Sequence, residues 1–354
     1  MYVDQPLEED AIDHFDRLPD PILVSIFNRL QDVKALGRCC AVSKRFHSAA
    51  LQVESVVVRV DCVISGDSSP SPSSSSSASE ASTAAARGVF GSLVKLLLGT
   101  IFVKPIQALH QILLPKKVVL AEVSHHSPGE VLRNFREIRS LKIVLPGGEL
   151  GFEDGALLKW RAEFGSSLEG CTILGATSFR RCGANSEAAV DETGDEEEQR
   201  FCTNGGLKLR VVWTITSLIA ASARHFLLQQ IVSDHPTLRD LELTDVDGQG
   251  TLIMGREQLE ELRRAPAEAA SATANRTQVP ALSMKLWYAP RLVLPMAGLV
   301  LEGATLVAIR PIGGHVGRLD GGDGILVGAF DGAFGEAARA MVKRKTYLLE
   351  MNPF

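Results

Sequence analysis

The sequence predicts a mixed protein, α+β or α/β in class: three short N-terminal helices, then a longer region in which strands and helices alternate, with disordered insertions. Three observations carry this. An apolar stripe at helical spacing runs from Ile22 to Leu30 and is followed by two further short helical segments, one after Asp32 and one after Ser43. The hexapeptides Ile138–Ile143 and Leu238–Leu243 both read L-x-x-L-x-L or its isoleucine equivalent, a strand signature of leucine-rich repeats. Between the helical module and these strands lies Ser65–Arg87, including five consecutive serines from Ser73 to Ser77, with too little apolar content to fold.

The first helix is expected to start at Asp20, whose side-chain oxygen can cap it, with Pro21 in the first turn where a missing N–H is harmless. Ile22, Leu23, Ile26, Phe27 and Leu30 then share one face. A second helix follows Asp32 with Val33, Leu36, Cys39 and Cys40, and a third follows Ser43 with Phe46, Ala49 and Ala50. Helices this short are marginal alone, so their stripes must be buried against each other or against a partner. The β-branched run Val56–Val60 predicts a strand that leaves the helical module and begins the second region.

The organisation expected is a helical module over 12–55, a linker over 65–87 and a larger region over 88–354, with loops near 184–200 and 263–279. The acidic run Glu187–Glu198 and the alanine-rich run Arg263–Gln278 define the two loops. Helices are expected at Ala156–Phe164 (Leu157, Trp160, Phe164), at Ile215–Val232 and at Phe334–Lys345. Strands are expected at Leu282–Tyr288 and Thr305–Arg310, and Leu168–Ile173 is a weaker copy of the repeat hexapeptide. Degenerate leucine-rich-like repeats and a non-repetitive α/β layer both fit this order. Val89–Leu114 is apolar but broken by Lys95, Lys104 and Pro105 before the roughly 20 residues of a span, and reads as a core or partner-binding helix. An interfacial membrane helix is the alternative there.

The net charge is −5, with the basic residues dispersed, which argues against nucleic acid or an anionic membrane as a partner. Six scattered cysteines without C-x-x-C spacing, behind an acidic N-terminus, point to a reducing compartment, cytosol or nucleus. Catalytic chemistry finds no support. His125-His126 has no chelating neighbour, and the calcium-like Asp245, Asp247, Gly248 and Gly250 would place Arg256 where the bidentate glutamate belongs, so a turn is the better reading. The glycines Gly313–Gly322 lack the Lys-Ser/Thr of a phosphate loop. No metal and no cofactor is expected.

The run Leu18-Pro19 through Leu30, continuing to Val42-Ser43-Lys44-Arg45-Phe46, resembles an F-box, the adaptor-docking module of cullin-based ubiquitin ligases. The resemblance implies that Leu18, Pro19, Ile22, Leu23, Ile26, Phe27, Leu30, Leu36, Val42, Ser43, Arg45 and Phe46 contact a Skp-type adaptor. Phe46 stands where many F-boxes carry Trp and keeps a large aromatic anchor. Further blocks, Lys159–Gly165, Arg210–Ile215, Ala220–His225, Gly303–Val307 and the terminal Leu349–Phe354, resemble the plant auxin-up-regulated F-box proteins.

That likeness implies a non-catalytic substrate-recognition subunit of a Skp-cullin-F-box ubiquitin ligase, with cullin and RING protein reached through the adaptor and a protein target held by the C-terminal region. It implies a role in auxin-related signalling in plants. The alternatives are a scaffold that binds the adaptor without directing ubiquitin transfer, or a membrane-surface regulator.

Overall fold

A computed structural model describes residues 14–60, 132–146, 156–182, 206–265, 276–312 and 328–354. The expected linker Ser65–Arg87, the apolar run Val89–Leu114, His125-His126, the acidic run Glu187–Glu198 and the glycines Gly313–Gly322 lie outside these residues.

After a single 3-10 turn at His14–Arg17, three α-helices follow: α1 (Asp20–Leu30), α2 (Val33–Cys40) and α3 (Lys44–Ala50). Caps form at Asp32 and Ser43, the residues after which these helices were expected to begin: Asp32 Oδ2 accepts from Ala35 N at 3.0 Å and Ser43 Oγ from Phe46 N at 3.1 Å. The cap expected at Asp20 does not. Pro19 is the cap residue of α1, with Asp20 already helical, and the Asp20 carboxylate turns instead to Arg45, 2.8 Å away. A long-range ion pair outcompetes the local cap.

Among the described residues ten strands then form one mixed sheet: β1 (Ser55–Arg59), β2 (Ser140–Leu145), β3 (Leu157–Phe164), β4 (Leu168–Ala176), β5 (Ser178–Arg181), β6 (Asp240–Asp245), β7 (Gly250–Met254), β8 (Leu282–Leu294), β9 (Leu299–Pro311) and β10 (Thr346–Met351). Their order is β1-β2-β6-β7-β3-β4-β9-β8-β10, with β5 extending the sheet beside β9. The two repeat-like hexapeptides are β2 and β6, neighbouring parallel strands with Leu141 opposite Leu241 and Ile143 opposite Leu243. With β1 they make a parallel ribbon of three, and there the repetition stops. Strand β7 runs antiparallel to β6, and the Leu168 hexapeptide lies in β4, antiparallel to β3.

The stretch Ala156–Phe164 is strand β3, not a helix. Leu158, Trp160, Ala162 and Phe164 are buried and alternate with partly exposed residues, the period of a strand. Leu157, Trp160 and Phe164 also fit helical spacing, but strands on both sides satisfy this backbone. The expected loop near 263–279 also shrinks, because Arg263 and Arg264 end a helix and Val279 is buried and exchanges two backbone hydrogen bonds with Phe354.

The sheet carries helices on both faces. The 29-residue α4 (Gly206–Asp234) and the short α5 (Arg256–Arg264) pack on one, and α6 (Gly332–Met341) on the other. Alternate residues of β9 show this: Val307 and Ile309 join the core under α4, whereas Ala304 and Leu306 join that under α6. Helix α4 starts nine residues before the expected Ile215. Its length and apolar composition would suffice to cross a membrane, yet it lies against the sheet with most of its most apolar stretch buried.

Two arginines fix α4 in place. Arg210 donates to Thr305 Oγ1 and to the carbonyls of Gly206 and Gly303. Arg224 donates to Gly250 O, pairs with Asp245 at 3.3 Å and stacks 4.7 Å from the Trp160 ring. A Cβ on Gly250 would approach the Trp160 ring to 2.4 Å, so this crossing requires glycine. Asp245 caps the β6–β7 turn as well, accepting from the N–H groups of Gln249 and Gly250, which is the turn the sequence indicated in place of a calcium loop.

Candidate functional site

Helix α1 has two apolar faces, and the fold treats them differently. Leu23 and Phe27 point inward with Val33, Leu36, Ala49 and Ala50, and this small core is continuous with the sheet core through Val56 and Val58. Ile22, Ile26 and Leu30, spaced by four residues and so stacked on one ridge, stay 48%, 41% and 41% exposed. Pro19 extends the ridge at its N-terminal end, and Val42, 67% exposed, lies in the α2–α3 turn. Singly exposed apolar residues are ordinary; a ridge of them on an otherwise packed module marks a surface built to be covered.

Leu23, Phe27 and Leu36, expected from the resemblance to touch the adaptor, are therefore core residues that shape the ridge from behind. Ser43 and Arg45 are engaged within the chain. The Ser43 hydroxyl caps α3, and the Arg45 guanidinium binds Asp20, Phe15 O and Leu18 O. Arg45 thus ties the segment before α1, with Leu18 partly buried, onto α3. Phe46 is half-buried between two rings in edge-on contact, Phe15 at 5.6 Å and Phe27 at 5.4 Å. Phe15, 47% exposed, borders the same face and was missed in the sequence; an aromatic residue three positions before the Leu-Pro pair was the available signal.

The module is latched to the sheet at its rear. Gln31, with φ of 53°, reverses the chain between α1 and α2, its carbonyl accepts from Val57 N at 2.8 Å, and its side chain donates to Ser55 Oγ at 3.0 Å. The ridge faces away from these contacts, so a partner on it need not disturb the sheet edge.

A family model described as F-box-like matches residues 15–61, which span the three helices and β1. The F-box proteins At1g30200 and At4g18380 of Arabidopsis thaliana are each 53% identical to this chain, over 99% and 98% of it and 96% of each relative. F-box protein AUF1 of the same plant is 38% identical over 97% of this chain and all of the relative. The chain belongs to the auxin-up-regulated F-box family of plants. No solved structure matches it. An F-box binds a Skp-type adaptor in ubiquitin ligase complexes, and the general role of the chain is substrate recognition within such a complex.

Proposed function

We propose that the ridge Pro19, Ile22, Ile26 and Leu30, flanked by Leu18, Phe15, Val42 and Phe46, is the adaptor-docking surface, and that the sheet region holds a protein target for ubiquitylation and proteasomal degradation in auxin-related signalling, in cytosol or nucleus. The carrying observation is the exposure of this ridge on a module whose Leu23, Phe27, Val33, Leu36, Ala49 and Ala50 are buried. Cullin and RING protein follow through the adaptor. The chain itself supplies proximity: a tethered target lysine meets the ubiquitin thioester at raised effective concentration, with the chemistry residing in the partners.

The test compares adaptor capture by the full chain with capture by Ile22→Asp/Ile26→Asp and by Leu18→Ala/Pro19→Ala. Loss of a central apolar anchor is expected to weaken binding by about thirtyfold or more. The Asp variant should keep its far-UV spectrum and melting profile, because both residues lie outside the core. Undiminished adaptor capture by the Asp variant would refute the docking surface. Absence of ubiquitin chains on every co-purified protein in a reconstituted cullin complex would favour the scaffold reading.

A further inference from the structure

At the N-terminal ends of β2 and β6, against α5, lies a concavity of about 260 Å3 walled by four arginines: Arg139, Arg239, Arg256 and Arg263. They come from three elements. Arg139 and Arg239 precede neighbouring parallel strands, and Arg239 N donates to Arg139 O at 2.7 Å, which fixes their separation. Arg256 and Arg263, seven residues apart on α5, share a helix face. The α4–β6 turn closes the floor, where Thr237 Oγ1 lies 2.8 Å from Ile138 O and 3.0 Å from Arg136 O.

The arginines are unequally engaged. Arg139 pairs with Glu54 and Arg256 with Glu260, both through exposed contacts. Arg263 is anchored through Nη2 to the carbonyls of His235 and Leu238, while its buried Nε has no hydrogen-bond partner among the described residues. Arg239 makes no side-chain hydrogen bond or ion pair among the described residues. Glu137 and Glu260 also line the wall, so a monoanionic carboxylate would gain little; a dianion bound by several guanidinium forks would gain much more. The volume falls below the roughly 300–1,000 Å3 of small-molecule pockets, and suits one side chain with its terminal group. A concave cluster, in a chain of net charge −5, is also unlike the extended basic stripe that tracks nucleic acid.

We propose that this arginine-walled concavity recognises a phosphorylated serine or threonine on the target protein. This rests on the target-receptor reading above and names the target's class: a segment marked by phosphorylation. Arg239 and Arg256 would reach the phosphoryl oxygens, and Arg263, held from behind, would position the floor.

The test uses the full chain in complex with its adaptor and two immobilised peptide libraries of identical random flanks, one phosphorylated at its central serine or threonine and one not. Selective retention on the phosphorylated library is expected, competed by inorganic phosphate. Arg239→Glu and Arg239→Glu/Arg256→Glu should reduce it, by about tenfold or more for each guanidinium removed. Adaptor co-purification should be unchanged, because neither residue belongs to the α1 ridge. Equal retention on both libraries, or variants that bind as the unaltered chain does, would overturn the proposal. Phospho-selective binding by a chain that captures no adaptor would instead reject the ligase reading and leave this site standing.

Discussion

Helix α1 and helix α4 invert one another. The first is eleven residues long and leaves a row of isoleucine and leucine in solvent; the second is 29 residues long and buries Arg210, His225 and nearly all of the Arg224 side chain. Each breaks the ordinary sorting of side chains, but only α4 resolves the breach within the chain, through carbonyls, a carboxylate and aromatic rings. Apolar surface with no internal partner points outward to function, whereas a polar core with internal partners is architecture. The distinction can be broken by experiment.

The largest effect is expected at the Arg224–Asp245 pair. Arg224→Ala leaves Asp245 buried without its cation and removes the stack on Trp160, and should destabilise the fold by about 3–5 kcal/mol in urea titration. A loss below 1 kcal/mol would show that this pair contributes little to holding α4. Phe27→Ala should follow, at about 3–5 kcal/mol for a fully packed aromatic side chain. Its neighbour Ile26→Ala should hardly alter stability while weakening adaptor capture. Equal destabilisation by the two would erase the division of α1 into core and docking faces.

A smaller and tunable effect belongs to His225. Its ring stacks 4.5 Å from Phe164, Nε2–H donates to Gly165 O, and Nδ1 accepts from the Thr277 hydroxyl. Burial pushes its pKa from 6.5 down to about 4, so the native ring is neutral. The unfolded chain binds the proton first as pH falls. Its contribution is therefore intact above about pH 6.5 and declines toward pH 4, by about 1.4 kcal/mol per pH unit for one group. Burial lowers His235 as well, with the same sign. Unfolding midpoints at pH 7, 6 and 5 should fall more steeply for the unaltered chain than for His225→Leu; parallel slopes would show a ring that gains its proton while folded.

Much of this was legible. Asp32 and Ser43 cap helices because their roles are local, and Leu141 and Leu241 lie in strands because β-rich alternation is local too. What escaped the sequence was set by distance. Asp20 turns from its own helix to Arg45, 25 residues on. Strand β3 carries a spacing that fits two periods, and its neighbours decide between them. The start of α4 was hidden by Lys208 and Arg210, since an arginine reads as surface until Thr305 and Gly303 are seen to receive it. The exposed ridge was visible only as one stripe, and the division of that stripe into Leu23 and Phe27 within and Ile22 and Ile26 without required α2 and α3 in place. The arginine concavity draws on arginines up to 124 positions apart, and an overall negative charge conceals it.

The smallest effect is expected where polar residues face solvent. Lys142 on β2 lies directly opposite Glu242 on β6, with Nζ and Oε1 2.9 Å apart and both side chains nearly half exposed. Water and salt screen such a pair, so Lys142→Ala should cost about 0.2–1 kcal/mol, and less at 1 M salt. The same register places Leu141 beside Leu241 on the buried face. If Lys142→Ala proved as damaging as Arg224→Ala, exposure would no longer separate weak contacts from strong ones, and the exposed ridge of α1 would lose its standing as a surface the fold does not need.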